Sequence, residues 1–247
     1  MKAIILAAGI NSRLNNHIDI PKCLLPFKGS TILENQISAL MKAGLRKKDI
    51  IVVVGYKKEM IEKVHGNTLF NPKFKEFNNG YSVYLALQHL LHSNVLRNEE
   101  GTLILDGDLV YEPELISKIV ALNKENILVN RPAEYSTELK DEISIVDSNG
   151  KILELTIPTK EKPLNPKHVG TLLYNFTGIM QISKYVVVQL YEKLKDSYQG
   201  WYTIPLPELV FANEFHSFEV PHDLKYCFDV DTKEDMERLA DINFKMK

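Results

Sequence analysis

The chain opens on a short apolar run, Lys2 to Ala8, that stops at Gly9, as a buried strand feeding a turn would. The next periodic segment begins at Thr31. Glu34, three positions on, completes a capping-box pattern, so a helix is predicted from Thr31 to Gly44. Leu33, Ile37, Leu40 and Met41 follow the stripe of a helix lying on a sheet, and Gly44 is placed as its C-cap. Ile50 to Val54 then reads as a second buried strand and Lys57 to His65 as a short helix. Ser82 to His92 reads as a helix with Ser82 near its cap, and Thr102 to Leu105 as a strand running into Asp106-Gly107-Asp108. Pro113, at an N1 position, opens a further helix to Leu122. Strands that are apolar throughout, alternating with amphipathic helices, predict a parallel sheet covered on both faces.

Beyond about residue 126 the pattern changes. Asp147-Ser148-Asn149-Gly150 is turn chemistry between Ile143 to Val146 and Lys151 to Ile157, which predicts an antiparallel hairpin. Tyr174 to Ile182 and Tyr226 to Val230 read as strands, Lys184 to Lys195 and Lys233 to Lys245 as helices. No Gly/Ser/Pro-rich linker or internal repeat divides the chain, so residues 1–247 are expected to form one domain with a mixed sheet.

Composition narrows the partners. With 45% hydrophobic residues and 30 Lys plus Arg against 32 Asp plus Glu, the chain is globular with a net charge of −2. A pI of about 6.4 leaves no electrostatic footprint for nucleic acid, which calls for a domain pI above ~9. No apolar run approaches the ~18 residues of a membrane helix, and Arg13 interrupts the only candidate signal segment. Cys23 and Cys227 sit in neither a disulfide framework nor a ligand spacing and read as free thiols of a reducing cytoplasm. The seven histidines show no metal spacing. A small-molecule partner is expected, and a homodimer is compatible with the composition.

In an open parallel sheet, ligands bind beyond the carboxyl ends of the strands. The loop after the first strand, Leu6-Ala7-Ala8-Gly9-Ile10-Asn11-Ser12-Arg13-Leu14, is neither GxGxxG nor a Walker A loop. Ala7, Ala8 and Gly9 lack bulk, so the backbone can approach a flat base and its N–H groups can wrap anionic oxygens, to which Arg13 adds a bidentate charge. In Pro21-Lys22-Cys23-Leu24-Leu25-Pro26, Pro21 keeps Ile20 extended and helps fix where Lys22, a compact charge suited to a phosphoryl oxygen, points. Asp106 and Asp108 share one side of a strand end, as do Asp229 and Asp231 if the last strand continues that far. Two such carboxylates plus substrate phosphates suit Mg²⁺. Asp231 is equally well placed to cap the helix that follows it.

AAGxNSRL, PKCLLPFKG, DGD at a strand end and VDTKED together resemble the nucleotidyltransferase superfamily that makes nucleoside-diphosphate sugars and alcohols. Phe70 to Ala86, with Asn78-Asn79-Gly80-Tyr81-Ser82, is similar to a stretch of bacterial CTP:phosphocholine cytidylyltransferases and their phosphonate-activating relatives. The resemblance implies an α/β, Rossmann-like three-layer sandwich with a mixed, mainly parallel central sheet and an antiparallel acceptor-side subregion. Residues 1–122 would bind nucleotide and 123–247 the acceptor. It further implies that Leu6, Ala7, Ala8, Gly9, Asn11 and Ser12, with Asn79, Ser82 and Asp106, surround the nucleotide. Arg13 would bind the β,γ-phosphates and Lys22 the α-phosphate, while Asp108 and Asp231 hold Mg²⁺. Tyr174, Trp201 and Tyr202 would line the acceptor pocket, and Glu161-Lys162-Pro163 resembles the motif whose lysine binds sugar phosphate. The implied reaction is transfer of CMP from CTP to a small phosphorylated or phosphonate acceptor.

Two departures matter. Asn11 stands where the signature has a second glycine, a position asparagine tolerates in left-handed backbone. Trp201 is followed by Tyr202, Thr203 and Ile204 rather than by the acidic residue of choline-type enzymes, so choline phosphate is expected to be at best a modest substrate and a smaller polar phosphomonoester or phosphonate that hydrogen-bonds Tyr202 or Thr203 to be preferred. A sugar-1-phosphate nucleotidyltransferase and a catalytically silent nucleotide-binding module are the alternatives.

Overall fold

A computed structural model describes residues 1–10, 14, 18–93, 96, 101–122, 124–132, 142–156 and 171–244. The first half contains β1 (Lys2–Ala7), the ribbon β2 (Pro26–Phe27) and β3 (Ser30–Thr31), α1 (Ile32–Lys42), β4 (Ile50–Val54), α2 (Lys58–Glu62), β5 (Thr68–Phe70), α3 (Asn79–His92), β6 (Thr102–Asp106), β7 (Leu109–Tyr111) and α4 (Glu114–Ala121). After it come β8 (Ile127–Pro132), β9 (Ile143–Val146), β10 (Ile152–Thr156), β11 (Leu172–Ile182), α5 (Lys184–Ser197), α6 (Leu206–Ala212), β12 (His216–Glu219), β13 (Cys227–Asp229) and α7 (Lys233–Phe244).

The main sheet runs β10-β9-β11-β6-β1-β4-β5, with β8 also on β11 and β12 on β8. Strands β6, β1, β4 and β5 are parallel, while β11 joins antiparallel to β6, β8 and β9, so one sheet takes strands from both halves of the chain. Alternate residues of β1 divide the core. Ala3, Ile5 and Ala7 pack with Leu33, Ile37 and Leu40 of α1 and Leu115, Ile116 and Ile119 of α4. Ile4 and Leu6 pack with Val83, Leu87 and Leu90 of α3 and Val186, Val187 and Leu190 of α5 on the other face. This is the α/β three-layer arrangement with a mixed sheet that the resemblance implied. A third cluster, Leu14, Leu25, Phe27, Ile32, Val110, Tyr226, Phe228, Val230 and Leu239, fastens the loop around Lys22 to β7, β13 and α7.

Local chemistry sets the boundaries. Thr31 and Glu34 form the expected capping box on α1, and Gly44 leaves the helix end at φ +97°. Helix α3 begins three residues earlier than Ser82. Ser82 is buried inside its first turns, where its hydroxyl accepts a hydrogen bond from Asn71 Nδ2 (2.9 Å) and is not a cap. The second helix starts one residue later than expected, because Lys57 adopts left-handed backbone at φ +46°, and ends at Glu62 instead of His65. In β11 the register to β8 shifts between Phe176 and Met180 around Gly178, whose φ of +78° bends the strand beside Asp106.

Behind the sheet, Lys2 of β1 forms a buried ion pair with Asp49 (2.5 Å), and Arg46 Nε donates to the same carboxylate (2.6 Å). The Arg46 hydrogen bond, against the opposing effect of burial and with help from Lys2, holds the Asp49 carboxyl well below the usual range. Asp49→Asn, which leaves the Lys2 ammonium buried without its counter-charge, is expected to cost about 3 kcal/mol of stability at pH 7. Because the folded value is depressed, the wild-type advantage exists above the unfolded pKa of ~3.9 and fades as pH falls below it. Urea unfolding of both proteins at pH 7 and pH 3 should show the gap narrowing at the lower pH.

Candidate functional site

At the carboxyl ends of β1, β4 and β6 three connections converge. The Ala8 carbonyl accepts from Tyr56 N–H (3.2 Å) and the Leu6 carbonyl from Gly107 N–H (2.9 Å). The approach leaves no room for side chains. A Cβ on Gly55 would lie 2.6 Å from the Ala8 carbonyl oxygen, and one on Gly107 would lie 2.5 Å from that of Leu6. Held on both flanks, Leu6, Ala7, Ala8, Gly9 and Ile10 form one wall of a cleft of about 450 Å³. Asn71, Phe74, Phe77, Asn78, Asn79 and Ser82 form a second wall, and Asp106, Asp108, Asp229 and Asp231 gather at one end.

Lys22 enters from a single 3₁₀ turn, Lys22–Leu24, closed by Leu24 N–H on the Pro21 carbonyl (2.8 Å). Cys23, Leu24 and Leu25 are buried beneath it. The Lys22 ammonium pairs with Asp108 (3.2 Å) and donates a short hydrogen bond to Asp231. Burial works against its charge, yet the Asp108 charge and the Asp231 hydrogen bond outweigh it and keep Lys22 above the ordinary lysine value. The two carboxylates meet because β13 pairs antiparallel with β7, setting Asp229 opposite Leu109, and because Val230 N–H bonds the Asp108 carbonyl (3.1 Å).

Asp231 does not cap α7. Thr232 takes that place, its hydroxyl accepting from Asp235 N–H (3.2 Å) while the Asp235 carboxylate accepts from Thr232 N–H (2.8 Å) and Asp231 N–H (3.0 Å). The Asp231 carboxylate therefore faces Lys22. Its neighbours are pushed toward the neutral form. Burial, then the charges of Asp108 and Asp229, raises Asp106 well above its usual range, and burial and the Asp108 charge push Asp229 up to about 8 against the pull of Arg131. Asp108 also rises, through burial and Asp231, with Lys22 opposing.

Trp201 lines the cleft and is half exposed. Tyr202 and Tyr174 are not among the residues lining it. Tyr202 is 1% exposed, and Tyr174 donates its hydroxyl hydrogen to Glu219 of β12 (2.9 Å). Thr203 is buried as well, so neither Tyr202 nor Thr203 is exposed to hydrogen-bond an acceptor, contrary to the expectation from sequence. Asn11, Ser12, Arg13 and Lys162 lie outside the described residues. Asn71, Phe74 and Phe77, which also line the cleft, were not singled out from sequence; for the two phenylalanines the signal was an aromatic repeat in the polar segment Phe74-Lys75-Glu76-Phe77.

The architecture is that of nucleotidyltransferases. The chain superposes on the CTP:phosphocholine cytidylyltransferase of Streptococcus pneumoniae with a TM-score of 0.73 over 98% of both chains, at 20% identity. Residues 3–139, more than half of the chain, match the MobA-like NTP transferase domain, and the chain belongs to that family. It is 41% identical over 101 residues to a choline-phosphate cytidylyltransferase of Streptococcus pneumoniae, a segment covering 39% of this chain and 43% of that protein. It is 24% identical over 208 residues to the CTP:phosphoglutamine cytidylyltransferase of Campylobacter jejuni, covering 78% and 79% of the two chains.

Because the Leu6 carbonyl fills the space a Gly107 side chain would need, Gly107→Ala must displace the wall of the cleft. The expected result is a lower melting temperature together with at least a tenfold loss of nucleotide affinity, roughly 1.4 kcal/mol. Calorimetric titration against the four nucleoside triphosphates checks it.

Proposed function

We propose that the protein transfers CMP from CTP to a small phosphomonoester or phosphonate and releases pyrophosphate, with Mg²⁺ as cofactor. The observation that carries this reading is one ammonium, Lys22, touching both Asp108 and Asp231 at the end of a cleft walled by a bulk-free strand-end loop. A seat that already accommodates one cation between two carboxylates fits Mg²⁺, which habitually takes one or two carboxylates and completes its shell with phosphates and water. Asp108 and Asp231 would hold it, and bound there it would neutralise charge on the nucleotide and acceptor phosphates. That the relatives named above are cytidylyltransferases for choline phosphate and phosphoglutamine supports CTP as donor and a small phosphorylated acceptor.

In this reading the backbone at Leu6, Ala7, Ala8 and Gly9, with Asn79 and Ser82, encloses cytosine and ribose, Asn11 and Ser12 also contact the nucleotide, and Arg13 meets the β,γ-phosphates. An acceptor phosphate oxygen attacks the α-phosphorus in line, the bond to the bridging oxygen breaks, and pyrophosphate leaves. Lys22 stabilises the charge that builds on the α-phosphate oxygens, so the chain supplies position and charge and no nucleophile of its own. Trp201, Phe74 and Phe77 replace Tyr174 and Tyr202 as the aromatic surfaces available to an acceptor. Residues 1–122 contribute most of the nucleotide wall, and 123–247 contribute Trp201 and Asp231, within one domain. Among the described residues no helix is long and apolar enough to cross a membrane, and the free thiols of Cys23 and Cys227 suit a reducing cytoplasm.

A pyrophosphate-release screen of the four nucleotides against choline phosphate, ethanolamine phosphate, 2-aminoethylphosphonate and sugar 1-phosphates tests the proposal. CTP with an amino-alcohol phosphate or a phosphonate should respond. A response confined to a sugar 1-phosphate overturns it. Asp108→Asn and Asp231→Asn should each remove most Mg²⁺-dependent turnover. Lys22→Ala should lower kcat by ~10²–10³ while leaving CTP affinity within a few-fold, and a change confined to the KM for CTP would make Lys22 a ground-state binder.

A further inference from the structure

The first turn of α3 does more than line the cleft. Asn78 N–H bonds the Gln199 carbonyl (3.1 Å), Gly80 N–H bonds the Gly200 carbonyl (3.0 Å), and the Asn79 side-chain oxygen accepts from Tyr202 N–H (3.2 Å). Three consecutive residues thus clasp the loop that carries Trp201, more than a hundred positions away in the chain. Gly80 is there because the two backbones nearly touch. A Cβ on it would lie 2.5 Å from the Gly200 carbonyl oxygen and 3.0 Å from that of Tyr198. Beside these hydrogen bonds, the rings of Phe77, Tyr81 and Tyr198 meet in a triangle with centroids 5.3 to 5.7 Å apart, bracing the same loop against the same turn.

We infer that Asn79 and Gly80 are positioning residues for the acceptor: they fix Trp201 as a wall of the cleft and tie that wall to the side of the cleft where the base is expected. Asn79 is the hinge of the coupling. Its amide oxygen is committed to the Tyr202 backbone, whereas the amide nitrogen of the same planar group belongs to a residue that lines the cleft. A nucleotide that engages the nitrogen orients the oxygen, and with it the loop bearing the indole. Trp201, half exposed and carried on a loop that a Cβ at Gly200 would drive into Ile204, presents an apolar face suited to the methylene or ammonium end of a small phosphorylated amine or alcohol. The identity of the two ligands rests on the cytidylyl-transfer reading above; the clasp itself does not.

Trp201 is the single tryptophan of the chain, so its fluorescence reports this loop alone among the indoles. Acrylamide quenching of the free protein, CTP affinity by calorimetry and acceptor KM would be measured for the wild type, Gly80→Ala, Asn79→Ala and Asn79→Asp. Gly80→Ala should at least double the quenching constant and raise acceptor KM about tenfold while CTP affinity stays within threefold. Asn79→Ala, which introduces no clash and covers the case in which Gly80→Ala fails to fold, should raise quenching and weaken both ligands. Asn79→Asp keeps an oxygen for Tyr202 N–H and loses the amide donor, so wild-type quenching with weakened CTP binding is expected. Unchanged quenching in both Gly80→Ala and Asn79→Ala overturns the clasp. Increased quenching with acceptor KM unaltered overturns the positioning role. If CTP neither binds nor reacts, the cytidylyl-transfer reading falls, and the quenching comparison still decides the clasp.

Discussion

Two unit charges of like sign 4 Å apart repel by roughly 4 kcal/mol at an effective dielectric of 20, and the carboxyl ends of β6 and β13 bring four carboxylates into one cleft. The arrangement persists because Lys22 lies against two of them and because burial drives Asp106 and Asp229 toward the neutral form. The rest of the site can be read from that constraint. The apolar cluster of Leu25, Phe27, Val110, Phe228 and Val230 holds the three segments that must meet, and the β7 to β13 ladder sets their register. A slip of one residue in that ladder would turn Asp229 and Asp231 to the opposite face.

Close backbone approach is the second constraint, and glycines mark it. Gly55 and Gly107 let the neighbouring connections close on β1, Gly80 lets the Trp201 loop close on α3, and Gly178 lets the Asp106 carboxylate sit 2.5 Å from where its Cβ would be. Each removes a side chain where two parts of the cleft join. The walls are consequently set by strands and a helix start, not by loops alone.

Much of this was legible in the sequence where the signal is local. The capping box of Thr31 and Glu34, the apolar run Ile50–Val54 and the turn before Lys151 each specify an element through neighbouring residues. Lys22, Asp108 and Asp231 could be singled out by motif, and the resemblance to nucleotidyltransferases anticipated the family. What was not legible depends on distant pairing. Strand β12, with half-buried His216, Ser217, Phe218 and Glu219, has no alternation of its own and exists because β8 offers an edge. Tyr202 and Trp201 are adjacent aromatics, and nothing local to them in the sequence distinguishes the one that lines the cleft from the one that is buried on a loop hydrogen-bonded to the start of α3.

Asp108 and Asp231, brought together by the β7 to β13 ladder, are the proposed seat for one divalent cation. The decisive measurement is calorimetric titration of Mn²⁺ into the protein with a saturating non-hydrolysable CTP analogue. One site per chain is expected, weakened at least tenfold in Asp108→Asn and in Asp231→Asn alike, with melting temperatures close to wild type. Wild-type Mn²⁺ affinity in either variant would remove that carboxylate from the seat.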